Sequence, residues 1–426
     1  MNQQSCFVLG HHEAHCLEAD HLYSTLDGRT ALDVARVQHV NRIKTHNATL
    51  IVAVRDFPRI FTDEFASELK DSGAIDAVNH DGLKLILDHS NEGAGERELE
   101  VASALMKQLG IEDLQNISWL GANTLVHPQK TGRIRHCQYH YFLLAVYTKL
   151  HQQITSNRLN GKWIKRSFHS NQRQPYALCL NATPRLRRII SILELLHQRV
   201  FEWEEFLSYR VPNLPFLSFS GFGGSKLGGC DRETVRRELE AIGRADLLET
   251  LNKLEKLAPL KVDGFTEKGN MLFDRIDSSV YEHTIFSCVT ETHWDSSQQL
   301  LMTEKLIKPL CLGHPVVIFG AGGLLSLARR LGFGTFEHVL DPTYDSISHY
   351  PDRIRAAARS ARQAQLLSKE SMMEWEDQVL PMMIANNRWA VNGFKNLLDN
   401  LYHRPLRLLI NGSAALWGFQ ELTSES

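Results

Sequence analysis

The chain has 426 residues, which is long for one domain and natural for two. Its 47 lysines and arginines nearly balance 49 aspartates and glutamates, so a net charge of −2 advertises no global field for nucleic acid. Seven scattered cysteines without a C-x-x-C pair argue against a disulfide framework and fit a reducing compartment. No apolar run approaches the ~20 residues of a membrane span. The start, M-N-Q-Q-S-C-F-V-L-G, lacks a basic leader pattern, so a cytoplasmic location is expected.

Residues 1–48 carry little periodicity. Residues 7–9 suit a short strand, and His11, His12 and His15 offer imidazoles, but the segment reads as a polar loop rather than a metal site. Periodicity becomes clear at residues 49–54, T-L-I-V-A-V, a buried strand. Residues 63–72 form an amphipathic helix with Phe65 and Leu69 inward, and 83–87 the next strand. Residues 96–109 are a helix stopped by Gly110, and 117–120 a further strand. Strands alternating with helices define a parallel, doubly wound α/β sheet.

The strand at 83–87 ends in D-H-S-N-E-G-A-G. Asp88 and Glu92 sit where open α/β sheets bind ligands, beyond the carboxyl ends of strands. Either can act as a base, and equally Asp88 can cap the turn while Glu92 faces solvent. His136 and His140 are spaced to share a helix face, at the polar start of a helix with Tyr141, Leu144 and Leu150 inward. Residues 157–174 are polar and basic. They read as an exposed link between domains, with Trp163 and Phe168 among cations that could also touch a nucleic-acid backbone.

The second half opens with a strand at 176–180 followed by N-A-T-P-R-L-R-R and an apolar helix. Arg185 and Arg188 at that helix start suit a diphosphate, while Arg187 faces outward. Residues 216–230 resemble a P-loop only superficially, because Ser225 and Leu227 flank Lys226. Residues 231–257 form a charged amphipathic helical region.

The densest stretch lies at 281–345. A strand at 284–290 delivers Glu291, and Thr303, Glu304 and Lys305 open an apolar helix ending at Gly313. A buried strand at 316–319 then runs into Gly320, Gly322 and Gly323. This βαβ unit places Lys305 and backbone amides for a phosphate, and Glu291 or Glu304 for sugar or ribose hydroxyls. The dinucleotide fingerprint fails, since Leu325 stands where its third glycine belongs. Asp341, Tyr344 and Asp345 either border the sugar or cap the next helix. Residues 351–380 read as helices, with Pro381 expected to kink or break the second.

The pattern E-T…T-E-K-L-I-K-P-L-C-L-G-H-P-V-V-I-F-G is similar to the donor-binding motif of α-1,3-fucosyltransferases and their viral and bacterial relatives. The trailing G-F-G-T-F…D-P-T-Y-D resembles the phage-type members, and the match is dense over about a sixth of the chain. The segment at Arg185 and Arg188 partly resembles the N-x-x-x-R-x-x-R turn of those relatives. The resemblance implies a GT-B fold, with two Rossmann-like domains facing across a cleft. It implies an acceptor-side domain at 1–170, a nucleotide-sugar donor domain at 171–375, and C-terminal helices at 376–426 returning to the first domain. Trp375, Trp389 and Phe394 are expected at that junction.

The implied activity is inverting glycosyl transfer from a nucleotide sugar to a glycan hydroxyl. The resemblance puts the base at Glu92, with Asp88 second. It puts donor binding at Arg185, Arg188, Glu291, Thr303, Glu304, Lys305, Gly320 and Gly322. With no D-x-D at a strand end, neither metal nor cofactor is expected. The alternatives are transfer to a hydroxymethylated DNA base, and a sugar-nucleotide-binding protein without turnover.

Overall fold

The computed structural model describes residues 6–9, 14–24, 26, 32, 34–40, 48–54, 62–90, 95–124, 134–155, 176–179, 185–201, 230–257, 279–294 and 300–410. The chain forms two compact units. One comprises Met1–Thr148, Ser297–Leu301 and Lys395–Ser426, the other Lys149–Ser296 and Met302–Phe394.

The first unit holds a mixed α/β fold around a parallel sheet. Among the described residues its strands are β1 (Cys6–Leu9), β2 (Ala35–Val37), β3 (Thr49–Ala53), β4 (Lys84–His89), β5 (Ile117–Gly121) and β6 (Arg135–Gln138), in the order β2-β1-β3-β4-β5-β6. Every pairing is parallel. The chain runs outward from β1 to β2, then crosses back to β3 and continues to β6. The winding therefore reverses between β1 and β3, as in doubly wound, Rossmann-like sheets. β3 and β5 are buried along their whole length, which is why they read as apolar runs without alternation.

Helix Asp63–Asp71 starts on Thr62, whose hydroxyl accepts the Phe65 amide at 3.2 Å, and it buries Phe65 and Leu69 as expected. Helix Glu96–Gln108 starts with the Glu98 carboxylate accepting the Gly95 amide at 2.7 Å. Gly110, at φ +96°, turns the chain out of it.

The strand expected at residues 7–9 is present as β1, but helix His15–Ser24 and β2 lie where residues 1–48 were otherwise expected to be a polar loop. Cys16 and Ala19 are fully buried on that helix, and such small side chains give almost no hydrophobic periodicity. His136 and His140 do not share a helix face. His136 lies in β6, and the helix begins only at Tyr141.

The C-terminal helical run belongs to the first unit from Lys395 onward. Thr49 donates its hydroxyl to the Ile410 carbonyl at 3.1 Å. Arg407 Nε donates to Asp20 Oδ1 at 3.0 Å, and His403 Nε2 lies 2.9 Å from the same oxygen. Trp375, Trp389 and Phe394 belong to the second unit, whose last residue is Phe394. Trp375 stacks obliquely on Phe286, and Trp389 Nε1 donates to the Leu331 carbonyl at 2.8 Å.

In the second unit, the described strands β7 (Ala177–Leu178), β8 (Phe286–Thr290) and β9 (Val316–Phe319) are parallel and lie in that order. Helices Leu186–His197, Glu304–Cys311, Leu324–Arg330, Tyr350–Glu370 and Met372–Asn392 accompany them. Of the kink or break expected at Pro381, the break does not occur: the last helix runs through the proline. Val379 and Met383, both buried, pack it on either side of the proline and carry it past the missing amide. Gly313, at φ +75°, ends helix Glu304–Cys311 where a Cβ would run into the Met383 carbonyl.

Candidate functional site

Glu291 follows β8 directly. Its amide donates to the Phe319 carbonyl at 2.8 Å and extends the ladder by one rung. The side chain is 1% exposed. Oε1 accepts the Thr303 amide at 3.0 Å. Oε2 accepts the Thr303 hydroxyl at 2.6 Å and the Thr292 amide at 3.3 Å. A carboxylate expected to meet sugar hydroxyls instead spends its lone pairs on its own chain.

Thr303 caps helix Glu304–Cys311, as its place before an acidic residue and an apolar run foretold. Its hydroxyl oxygen lies 3.4 Å from both the Lys305 amide and Lys305 Nζ. Lys305 pairs with Glu304, which is nearly buried, while Lys305 keeps a quarter of its side chain exposed.

Arg185 and Arg188 open helix Leu186–His197, whose N-cap residue, Arg185, makes no side-chain capping bond. Arg188 is 5% exposed and donates from Nη2 to Thr292 Oγ1 at 2.7 Å. Its buried Nε has no hydrogen-bond partner among the described residues. Burial, and then the neighbouring Arg185 charge, pull the Arg188 guanidinium below its usual range, while Glu291 and Glu304 oppose the shift. One turn along the other helix, burial also lowers Lys308, with Glu304 opposing and Lys305 adding to the shift. Arg188 thus feels Arg185, Glu291 and Glu304, while Lys305 and Lys308 both lie against Glu304. Lys308 and Thr292 were not singled out in the sequence. Lys308 lies one turn beyond Lys305, and that helical spacing was the available signal.

The glycine turn after β9 is closed by the chain itself. Asp345 Oδ1 accepts the amides of Gly323 at 3.0 Å and Leu325 at 3.1 Å, and Oδ2 that of Ser326 at 3.2 Å. Burial raises the Asp345 carboxyl despite these amides. A Cβ on Gly320 would stand 2.9 Å from Glu291 Cβ, and one on Gly322 2.8 Å from the Asp345 carbonyl. These two glycines, expected at the donor, are where packing leaves no room for a side chain. Tyr344, expected near a sugar, is buried, and its hydroxyl accepts the Ile318 amide at 3.0 Å. Asp341 Oδ1 accepts the Thr343 amide at 2.9 Å.

In the first unit, Asp88 is the penultimate residue of β4 and is fully buried. Its carboxylate accepts the Cys16 amide at 2.9 Å and the Ser90 amide at 3.1 Å. The Ser90 bond caps the turn that follows the strand, the alternative expected from the sequence, while the Cys16 bond, which was not expected, closes the amino end of helix His15–Ser24. His89 is buried edge-on against Trp119, with ring centroids 5.3 Å apart. Glu92, the 157–174 stretch, residues 216–229 and the side chains of His11, His12 and His15 lie outside the described residues.

Among the described residues, no group of three or more His, Cys, Asp or Glu is placed to hold a metal ion, and no helix is long and apolar enough to cross a membrane. Compared with protein-family models, with curated proteins and with solved structures, the chain matches none.

Proposed function

We propose that the chain is a nucleotide-sugar-dependent glycosyltransferase of GT-B type, akin to the α-1,3-fucosyltransferases and their phage-type relatives. The observation that carries this reading is the cation cluster at the ends of β7 and β8. Arg188 is buried beside Arg185 with an Nε that has no partner among the described residues, an arrangement that a bound diphosphate would relieve. Two other helix starts at strand ends are already closed, by Asp88 and by Asp345. At the start of helix Leu186–His197, among the described residues, the N-cap residue Arg185 makes no side-chain capping bond.

The chemistry follows from that assignment. The acceptor hydroxyl attacks the anomeric carbon and the bond to the diphosphate oxygen breaks, with inversion. Fixed charge on Arg188 and Lys305 stabilises the leaving diphosphate as its negative charge grows. In this reading Glu92 is the base that takes the acceptor proton. A glycan is the proposed acceptor.

The test is a thermal-denaturation panel of sugar nucleotides, nucleoside diphosphates and nucleosides. A ligand that binds only the folded state raises the melting temperature. One sugar nucleotide and its nucleoside diphosphate should do so while the bare nucleoside does not. A flat panel would refute the reading.

A further inference from the structure

The two cations assigned to the diphosphate stand on different helices, yet one continuous set of contacts joins them. Arg188 donates to Thr292 Oγ1 at 2.7 Å. The Thr292 amide reaches Glu291 Oε2 at 3.3 Å. Glu291 holds Thr303 through both its amide and its hydroxyl, at 3.0 and 2.6 Å. Thr303 Oγ1 lies 3.4 Å from Lys305 Nζ. Glu291 is the midpoint of this relay and is itself out of solvent.

Its charge also lies at the amino end of helix Glu304–Cys311, where the helix dipole favours an anion. That place is therefore taken. An incoming diphosphate meets side-chain cations there rather than that helix's amides.

We propose that Glu291 is a positioning residue that sets the gap between Arg188 and Lys305 to the span of a diphosphate. This rests on the diphosphate reading given above. The sign of its effect separates positioning from simple charge. A buried carboxylate next to an anion site repels the ligand, so on charge alone its neutralisation tightens binding. If it positions the two cations, neutralisation weakens binding because they lose their register.

Inorganic pyrophosphate titrated calorimetrically into the full chain at fixed salt reads this sign. Wild type is measured first: no heat of binding there overturns the diphosphate reading and this inference with it. Given wild-type binding, Glu291→Gln should weaken pyrophosphate about tenfold in a protein that still unfolds cooperatively. Thr292→Val, which cuts the same relay, should weaken it too, and the double variant should be no weaker than Glu291→Gln alone. Equal or tighter binding by Glu291→Gln overturns the positioning role while leaving the site intact. If Glu291→Gln does not fold, Thr292→Val decides: undiminished pyrophosphate affinity there overturns the proposal.

Discussion

Arg353 Nε donates to the carbonyl oxygen of Gly320 at 2.9 Å. The same buried guanidinium donates from Nη2 to the Trp294 carbonyl at 2.8 Å and from Nη1 to those of Ile347 and Ser348. One arginine on helix Tyr350–Glu370 thus ties the loop after β8, the turn after β9 and the segment ahead of its own helix. The planar fork of five donors is what permits this, and lysine cannot reproduce it.

Arg353→Lys should therefore cost on the order of 3 kcal/mol, because several buried carbonyls lose their donor at once. A urea titration followed by tryptophan fluorescence would register the loss as a lower midpoint. A midpoint unchanged from wild type would show that these carbonyls are satisfied otherwise.

Asp345 caps helix Leu324–Arg330 from a distant loop. Asp345→Ala should destabilise by about 1–2 kcal/mol, the usual cost of losing such a cap. Pyrophosphate affinity should stay at the wild-type value, since this helix start is closed to ligands. A large loss of affinity without a loss of stability would return the glycine turn to the binding site.

Asp20 supplies a pH dependence in the first unit. Burial works to raise its carboxyl, but hydrogen bonds from His403, the Leu32 amide and Arg407 outweigh this and hold it below the usual range. A depressed carboxyl contributes stability above its unfolded value of about 3.9, and that contribution is lost as pH falls through the folded value. The melting temperature should thus fall as acid reaches that window, and Asp20→Asn should flatten the fall. An identical acid profile for the variant would remove Asp20 as its source.

What the sequence disclosed, and what it hid, follows from the range of the interactions. β3, β4 and β5 were legible because a sheet covered on both faces needs unbroken apolar runs. Thr303 was legible as a helix start because capping is a matter of adjacent residues. The partner of Asp88 was not, since Cys16 lies 72 residues away in the chain. The same holds for Glu291: its place at a strand end was readable, but its burial against Thr303 depends on how β8 and the following helix pack. β6 hid because the polar run H-C-Q is buried there without alternation.

The central claim is that the charge cluster around Arg188 holds the diphosphate of a nucleotide. Its most direct measurement is equilibrium titration of wild type and Arg188→Ala with UDP and with GDP. One of the two should bind wild type, and Arg188→Ala should weaken it roughly tenfold to a hundredfold, the loss expected for a charge-assisted hydrogen bond. Equal affinity in both proteins, or no binding of either nucleotide to wild type, would contradict it.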